Sequence, residues 1–76
     1  MPKYIFEFPN SPDLDPVEEV LNGPEEVLAE AATLAGQLMK DQAVDFWNSP
    51  DRRLCVTDED GSVVCTVRFI GTKGDG

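Results

Sequence analysis

Residues Leu54 to Ile70 read LCVTDEDGSVVCTVRFI, two alternating, β-branched runs on either side of Asp60-Gly61. An Asp-Gly pair between such runs is the strongest short-range hairpin signal, because both residues tolerate the positive φ of a tight turn. Register follows from which face each side chain reaches. A two-residue Asp60-Gly61 loop opposes Val56 to Cys65 and Leu54 to Val67. One face then carries Leu54, Val56, Val63, Cys65, Val67 and Phe69. The other carries Cys55, Thr57, Glu59, Ser62, Val64, Thr66, Arg68 and Ile70. A three-residue loop with a bulge at Gly61 opposes Cys55 to Cys65 instead and mixes polar with apolar on both faces. A one-residue slip turns the whole apolar set outward, so the segregated register is preferred. It sends Cys55 and Cys65 to opposite faces and forbids a disulfide between them.

Upstream, Lys3-Tyr4-Ile5-Phe6-Glu7-Phe8 alternates, with Tyr4, Phe6 and Phe8 on one side, as a half-buried strand does. Pro9, Pro12 and Pro16 make the next stretch a loop. Glu18-Glu19-Val20-Leu21 is then echoed by Glu25-Glu26-Val27-Leu28. The first copy carries helix punctuation, with Asp15 as cap, Pro16 in the first turn and Gly23 as a stop. Residues 16–22 are a short helix or an extended segment; the sequence leaves both open. The second copy opens the main helix over 24–42, with Pro24 at the first position and acids at the positive end of the dipole. Val27, Leu28, Ala31, Leu34, Ala35, Leu38 and Met39 fall on one helical stripe. Phe46 and Trp47 are placed to close the open end of the core, and Asn48 to Asp51 to turn the chain into the hairpin.

The expected fold is α+β: a three-stranded antiparallel or mixed sheet in a β-α-β-β chain. Strands at 3–8, 53–58 and 63–70 take the spatial order 1-3-2, with one long helix on one face. The last strand is the most apolar and is expected at the centre. The core is expected to hold Tyr4 or Phe6, Phe8, Val27, Leu28, Ala31, Leu34, Leu38, Leu54, Val56, Cys65, Val67 and Phe69. One domain spans 1–70, and 71–76 is a flexible tail without packing residues.

Fifteen acids against six bases give a formal charge of -9. Nucleic-acid binding draws its affinity from Lys and Arg on phosphates, so this charge argues against it and against anionic membrane surfaces. No apolar run approaches the ~18 residues of a membrane span and no secretory leader is visible, so the expected compartment is the cytoplasm. The chain has no His, the commonest general base near neutrality. Its serines lie in turns without a nucleophile-elbow context, and 76 residues leave little room for an enclosed cleft. An enzyme is not expected, nor a cofactor. Two cysteines cannot complete a zinc set. Asp58, Glu59 and Asp60 resemble the start of a calcium loop but lack its later ligands; acids at a hairpin tip are ordinary turn chemistry. Whether that tip binds an ion stays open.

Two sets of side chains invite a binding role. Arg53 and Arg68 face each other across the hairpin, which like charges resist unless an acid such as Glu7, or an anionic ligand, intervenes. A single helix covers one face of the sheet, leaving Ile5, Cys55, Val64, Thr66, Arg68 and Ile70 as an apolar streak of the kind that marks interfaces. The expected function is a non-enzymatic interaction module, a homodimer or an adaptor, working through that face. The alternatives are an acidic decoy for a basic protein surface and a small-anion or divalent-ion binder.

Several strings taken together resemble a known family: Pro2-Lys3-Tyr4-Ile5-Phe6, Asp15 through Leu21, Glu30-Ala31, Val56-Thr57-Asp58-Glu59-Asp60-Gly61 and Thr66-Val67-Arg68-Phe69. The chain is similar over nearly its whole length to short proteobacterial proteins grouped as a domain of unknown function. Their pattern is P-x-Y-x-F, an acidic loop, an E-A helix, V-x-D-E-D-G and a last strand. The resemblance implies a strand–helix–hairpin order and a bacterial cytosolic origin, and it implies no catalytic or ligand residue.

Overall fold

Tyr4 and Phe6 alternate with Lys3, Ile5 and Glu7 to form the first strand, β1 (Lys3–Glu7), and it runs through the middle of the sheet. The computed structural model describes residues 2–11 and 13–75. After β1 come β2 (Val17–Val20), α1 (Pro24–Asp41), the single turn α2 (Ala43–Phe46), β3 (Asp51–Asp58) and β4 (Val63–Ile70). The class is α+β, but the expected three-stranded sheet of order 1-3-2 is incorrect. The sheet has four antiparallel strands in the order β2-β1-β3-β4, and the most apolar strand, β4, lies at an edge.

The added strand is β2, so residues 17–20 of the ambiguous segment are extended. Val17, Glu18, Glu19 and Val20 stand opposite Phe6, Ile5, Tyr4 and Lys3, and the Leu21 N–H continues the ladder to the Pro2 carbonyl at 3.1 Å. A helix over 16–22 gains under two turns for a costly nucleus. A strand gains hydrogen bonds to β1, and Lys3 meets Glu18 at 3.6 Å. β2 and β3 therefore flank β1 in the same direction, joined across it by α1.

α1 begins where Pro24 and the two acids predict, with the Val27 N–H donating to the Gly23 carbonyl at 3.1 Å. The Glu26 carboxylate turns back to accept the Asn22 N–H, a variant of the capping box. The buried stripe is Val27, Ala31 and Ala35, packed on Tyr4, Phe6, Leu54 and Val56. Each fully buried Val, Leu or Phe contributes about 1.5–3 kcal/mol. Leu28, expected in the core, is 55% exposed. At 100° per residue it lies on the flank opposite Leu34, and the seam is centred on Ala31 between them. The small Ala31 and Ala35 bring the helix close to the sheet, and the larger flanking side chains are pushed to the rim.

The hairpin keeps its expected body and changes at its tip. Leu54 pairs with Val67 and Val56 with Cys65, but Thr57 pairs with Val63. The loop is Glu59-Asp60-Gly61, closed by Gly61 N–H to Asp58 C=O and Asp58 N–H to Ser62 C=O, both at 3.0 Å. Gly61 adopts φ 85°, the left-handed conformation that completes such a turn. The slip is absorbed immediately by a bulge that leaves Val64 unpaired. The two registers that looked exclusive thus coexist. The bulge also reverses two side chains: Val63, expected inward, is 63% exposed, and Val64, expected outward, packs against the core.

The far end of the core is closed by Phe46, which meets Trp47 edge-on at 5.4 Å and Phe69 at 6.0 Å between ring centroids. Arg52 ties this end together. It donates to the Ser49 carbonyl (3.1 Å), to the hydroxyl of Ser11 (2.7 Å), and to the Asp45 carbonyl in α2 (3.2 Å). Ser11 is 2% exposed. Gly71 follows β4 against Phe46 and Trp47, its N–H donating to the Pro50 carbonyl at 3.0 Å.

Candidate functional site

Side chains alternate across a strand, so the residues between those facing α1 make up the uncovered face. Ile5 lies there between Glu18 and Thr57, and Thr57 stands beside Val63. The next row is Glu7, Cys55 and Thr66, followed by Arg53 beside Arg68 and then Asp51 beside Ile70. Ile5 and Cys55 are half-buried, while Val20, Val63 and Ile70 are exposed. The face is an apolar strip crossed by charges. Lys3 pairs with Glu18 at one end, and Arg68 with Asp51 at the other.

Of the expected interface set, Ile5, Cys55, Thr66, Arg68 and Ile70 share this face, and Val64 does not. Val63 takes the place of Val64, and Val20 extends the strip on the β2 side. The exchange was legible in principle. Asp58 and Gly61 occupy the first and fourth positions of a hydrogen-bonded β-turn, where those residues are favoured, and a three-residue loop needs a compensating slip to keep Leu54 and Val56 inward. Nothing local announces Val20, because its place depends on pairing with β1.

Arg53 and Arg68 do stand opposite each other. The intervening acid is Asp51 rather than Glu7: Arg68 Nη2 and Nε donate to its two carboxylate oxygens at 2.8 and 3.1 Å. Those hydrogen bonds hold the Asp51 carboxyl below the usual carboxylate range. Two of the five N–H donors of Arg68 are thereby engaged by Asp51. The backbone of Arg53 is held by Asn10, whose Oδ1 accepts the Arg53 N–H at 3.0 Å and whose amide donates to the Asp51 carbonyl. Asn10 thereby continues the β1–β3 ladder past Pro9, which cannot donate.

The acidic tip is used in a similar way. Asp58 Oδ1 accepts the N–H groups of Asp60 (2.9 Å) and Ser62 (3.0 Å), and Glu59 accepts the Lys3 N–H at 3.0 Å. No group of three His, Cys, Asp or Glu side chains among the described residues could hold a metal ion. Cys55 and Cys65 are free and face opposite sides. Burial, with the nearby Cys55, pushes the Cys65 thiol up, away from the thiolate form a nucleophile needs. No helix among the described residues is long and apolar enough to cross a membrane.

These features define a small α+β domain, one helical layer on a four-stranded antiparallel sheet whose other face is open. The chain belongs to the family described as Domain of unknown function (DUF6894), whose pattern matches residues 3–70. No curated protein and no solved structure matches it.

Proposed function

We propose that this domain is a non-enzymatic interaction module of the bacterial cytoplasm that docks a protein on its uncovered sheet face. The observation that carries the reading is the strip of Ile5, Cys55, Val63 and Ile70, apolar side chains left open on a sheet with helix on one side only. An antiparallel sheet that only faces water alternates cleanly to polar residues on that side, and this one does not. The absence of His from the sequence and the raised thiol of Cys65 support a role without nucleophilic or general-base chemistry. The test is capture of proteins from a bacterial lysate on the immobilised domain, compared with Ile5→Lys and Val63→Lys. Val63 is exposed, so its variant keeps the fold. Partners lost from both variants support face docking; an identical captured set refutes it.

The acidic-decoy reading keeps one favourable observation, the charge of -9 with Glu25 and Glu26 exposed at the start of α1. Steep loss of capture with added salt favours it, and salt-insensitive capture removes it.

A further inference from the structure

The two edges of this sheet are built differently. β2 is four residues long, follows Pro16 and carries Glu18 and Glu19, which are the usual guards against strand pairing. β4 is eight residues long, is β-branched and apolar, and has no proline and no acid in a chain of charge -9. It is the one edge two copies can bring together without opposing carboxylates. Its hydrogen-bonding groups can be assigned. The Gly71 N–H donates to the Pro50 carbonyl, so by alternation Phe69, Val67 and Cys65 bond to β3. The peptide groups of Thr66, Arg68 and Ile70 then point to the free edge.

We propose that β4 is a self-pairing edge: a second copy docks antiparallel along it, about a two-fold axis through Val67, and joins the two sheets into one. Three observations fix the occupant and the register. The bulge at Val64 leaves a regular run, Cys65 to Phe69, whose centre is Val67. Pairing about that centre sets Thr66 opposite Arg68 of the other copy, whereas centring on Arg68 opposes two guanidinium groups. It also sets Cys65 opposite Phe69 and Val67 opposite Val67, so side chains now half-buried at the rim of the core meet their copies. The flank of α1 bearing the exposed Leu28 contributes as well. The opposite flank, at Leu34 and Gln37, lines a groove with Val17 of β2, so Leu28 lies on the β4 side.

The contact is modest. The overlap of Val64 to Ile70 with its copy spans ~23 Å, and the area buried falls below the ~1,200 Å² of standard specific interfaces, where weak and transient contacts lie. A weak, reversible dimer is expected. The inference does not rest on face docking, since a charge at Ile5 leaves β4 intact.

Sedimentation from about 1 µM to about 1 mM, with amide exchange at each end of the range, tests it. The expected result is a monomer–dimer equilibrium in which the Thr66 and Arg68 amides gain protection as the dimer forms. Thr66 is exposed, so its variants keep the monomer folded. Thr66→Glu places two acids opposite two arginines and is expected to tighten the dimer about five-fold, while Thr66→Lys weakens it by a similar factor. A strict monomer at about 1 mM overturns the proposal. So does a dimer in which those amides stay unprotected, or one whose affinity moves the same way in both variants.

Discussion

Gly71→Ala is expected to destabilise the domain by about 1–2 kcal/mol, although the residue follows the last strand and an added methyl looks innocuous. A Cβ there lies 2.7 Å from Phe46 Cε2 and 2.9 Å from Cη2 and Cζ3 of Trp47, against about 3.5–4.0 Å for relaxed carbon contacts. The Gly71 N–H is also fixed to the Pro50 carbonyl, so the backbone cannot simply retreat. Overpacking of this kind costs about 1–3 kcal/mol. Alanine offsets about 0.4–1 kcal/mol by restricting the unfolded chain, and Gly71 has no positive φ to oppose it. For a small domain the net corresponds to a Tm lower by about 5–15 °C, and to a urea midpoint lower by about 1–2 M. Gly74→Ala is the control, because nothing lies within 4 Å of its added carbon. In a Trp47→Ala background two of the three close contacts vanish, and the cost of Gly71→Ala should fall by about half. A Gly71→Ala variant no less stable than Gly74→Ala, or equally costly with and without Trp47, would refute the argument.

Val27→Ala and Leu28→Ala should separate in urea denaturation. The first opens a cavity in the sealed core and costs about 1–3 kcal/mol; the second trims an exposed flank and costs under ~1 kcal/mol in a monomer. Arg52→Ala removes three hydrogen bonds and leaves the buried Ser11 hydroxyl without its donor, so a loss of about 2–3 kcal/mol is expected; Arg52→Lys should recover little, because one ammonium cannot reach all three acceptors. Carboxyl NMR titration should place Asp51 below the ordinary aspartate range, and Arg68→Ala should raise it. Because the folded pKa is depressed, the pair contributes above the unfolded pKa and its contribution is lost as pH falls through the folded one. Thiol labelling near neutral pH should modify Cys55 before Cys65, whose thiol is raised by burial; the reverse order would contradict the assigned faces.

The parts of the fold legible in the sequence are those governed by neighbours along the chain. Pro24, two acids and a 3.6-residue stripe announce α1 almost to the residue, and the alternation of Leu54 and Val56 with Cys55 gives the hairpin register. What the sequence conceals depends on distant partners. Val17–Val20 carries two glutamates and helix punctuation, and it is a strand because β1 offers it hydrogen bonds. β4 reads as central because it is the most apolar strand, yet it lies at an edge and that apolarity serves the helix side. Val63 and Val64 change places because a turn a few residues away inserts one extra residue. The uncovered face was legible in most of its members and wrong at the residue beside that bulge.

The position of β1 between β2 and β3 also bears on how the chain is assembled. β1 is made first, but its second neighbour is made last of all its partners: Tyr4 pairs with Asp58, roughly fifty residues later, a long loop to close. At a synthesis rate of about 5–20 residues per second, one side of β1 waits several seconds for β3. The β1–β2 pairing and α1 can form during that wait, but the sheet stays open along its middle. The β3–β4 hairpin, local and quick to close on itself, then completes it in one docking step. Until that step, the side of β1 that faces β3 in the finished sheet is itself an edge.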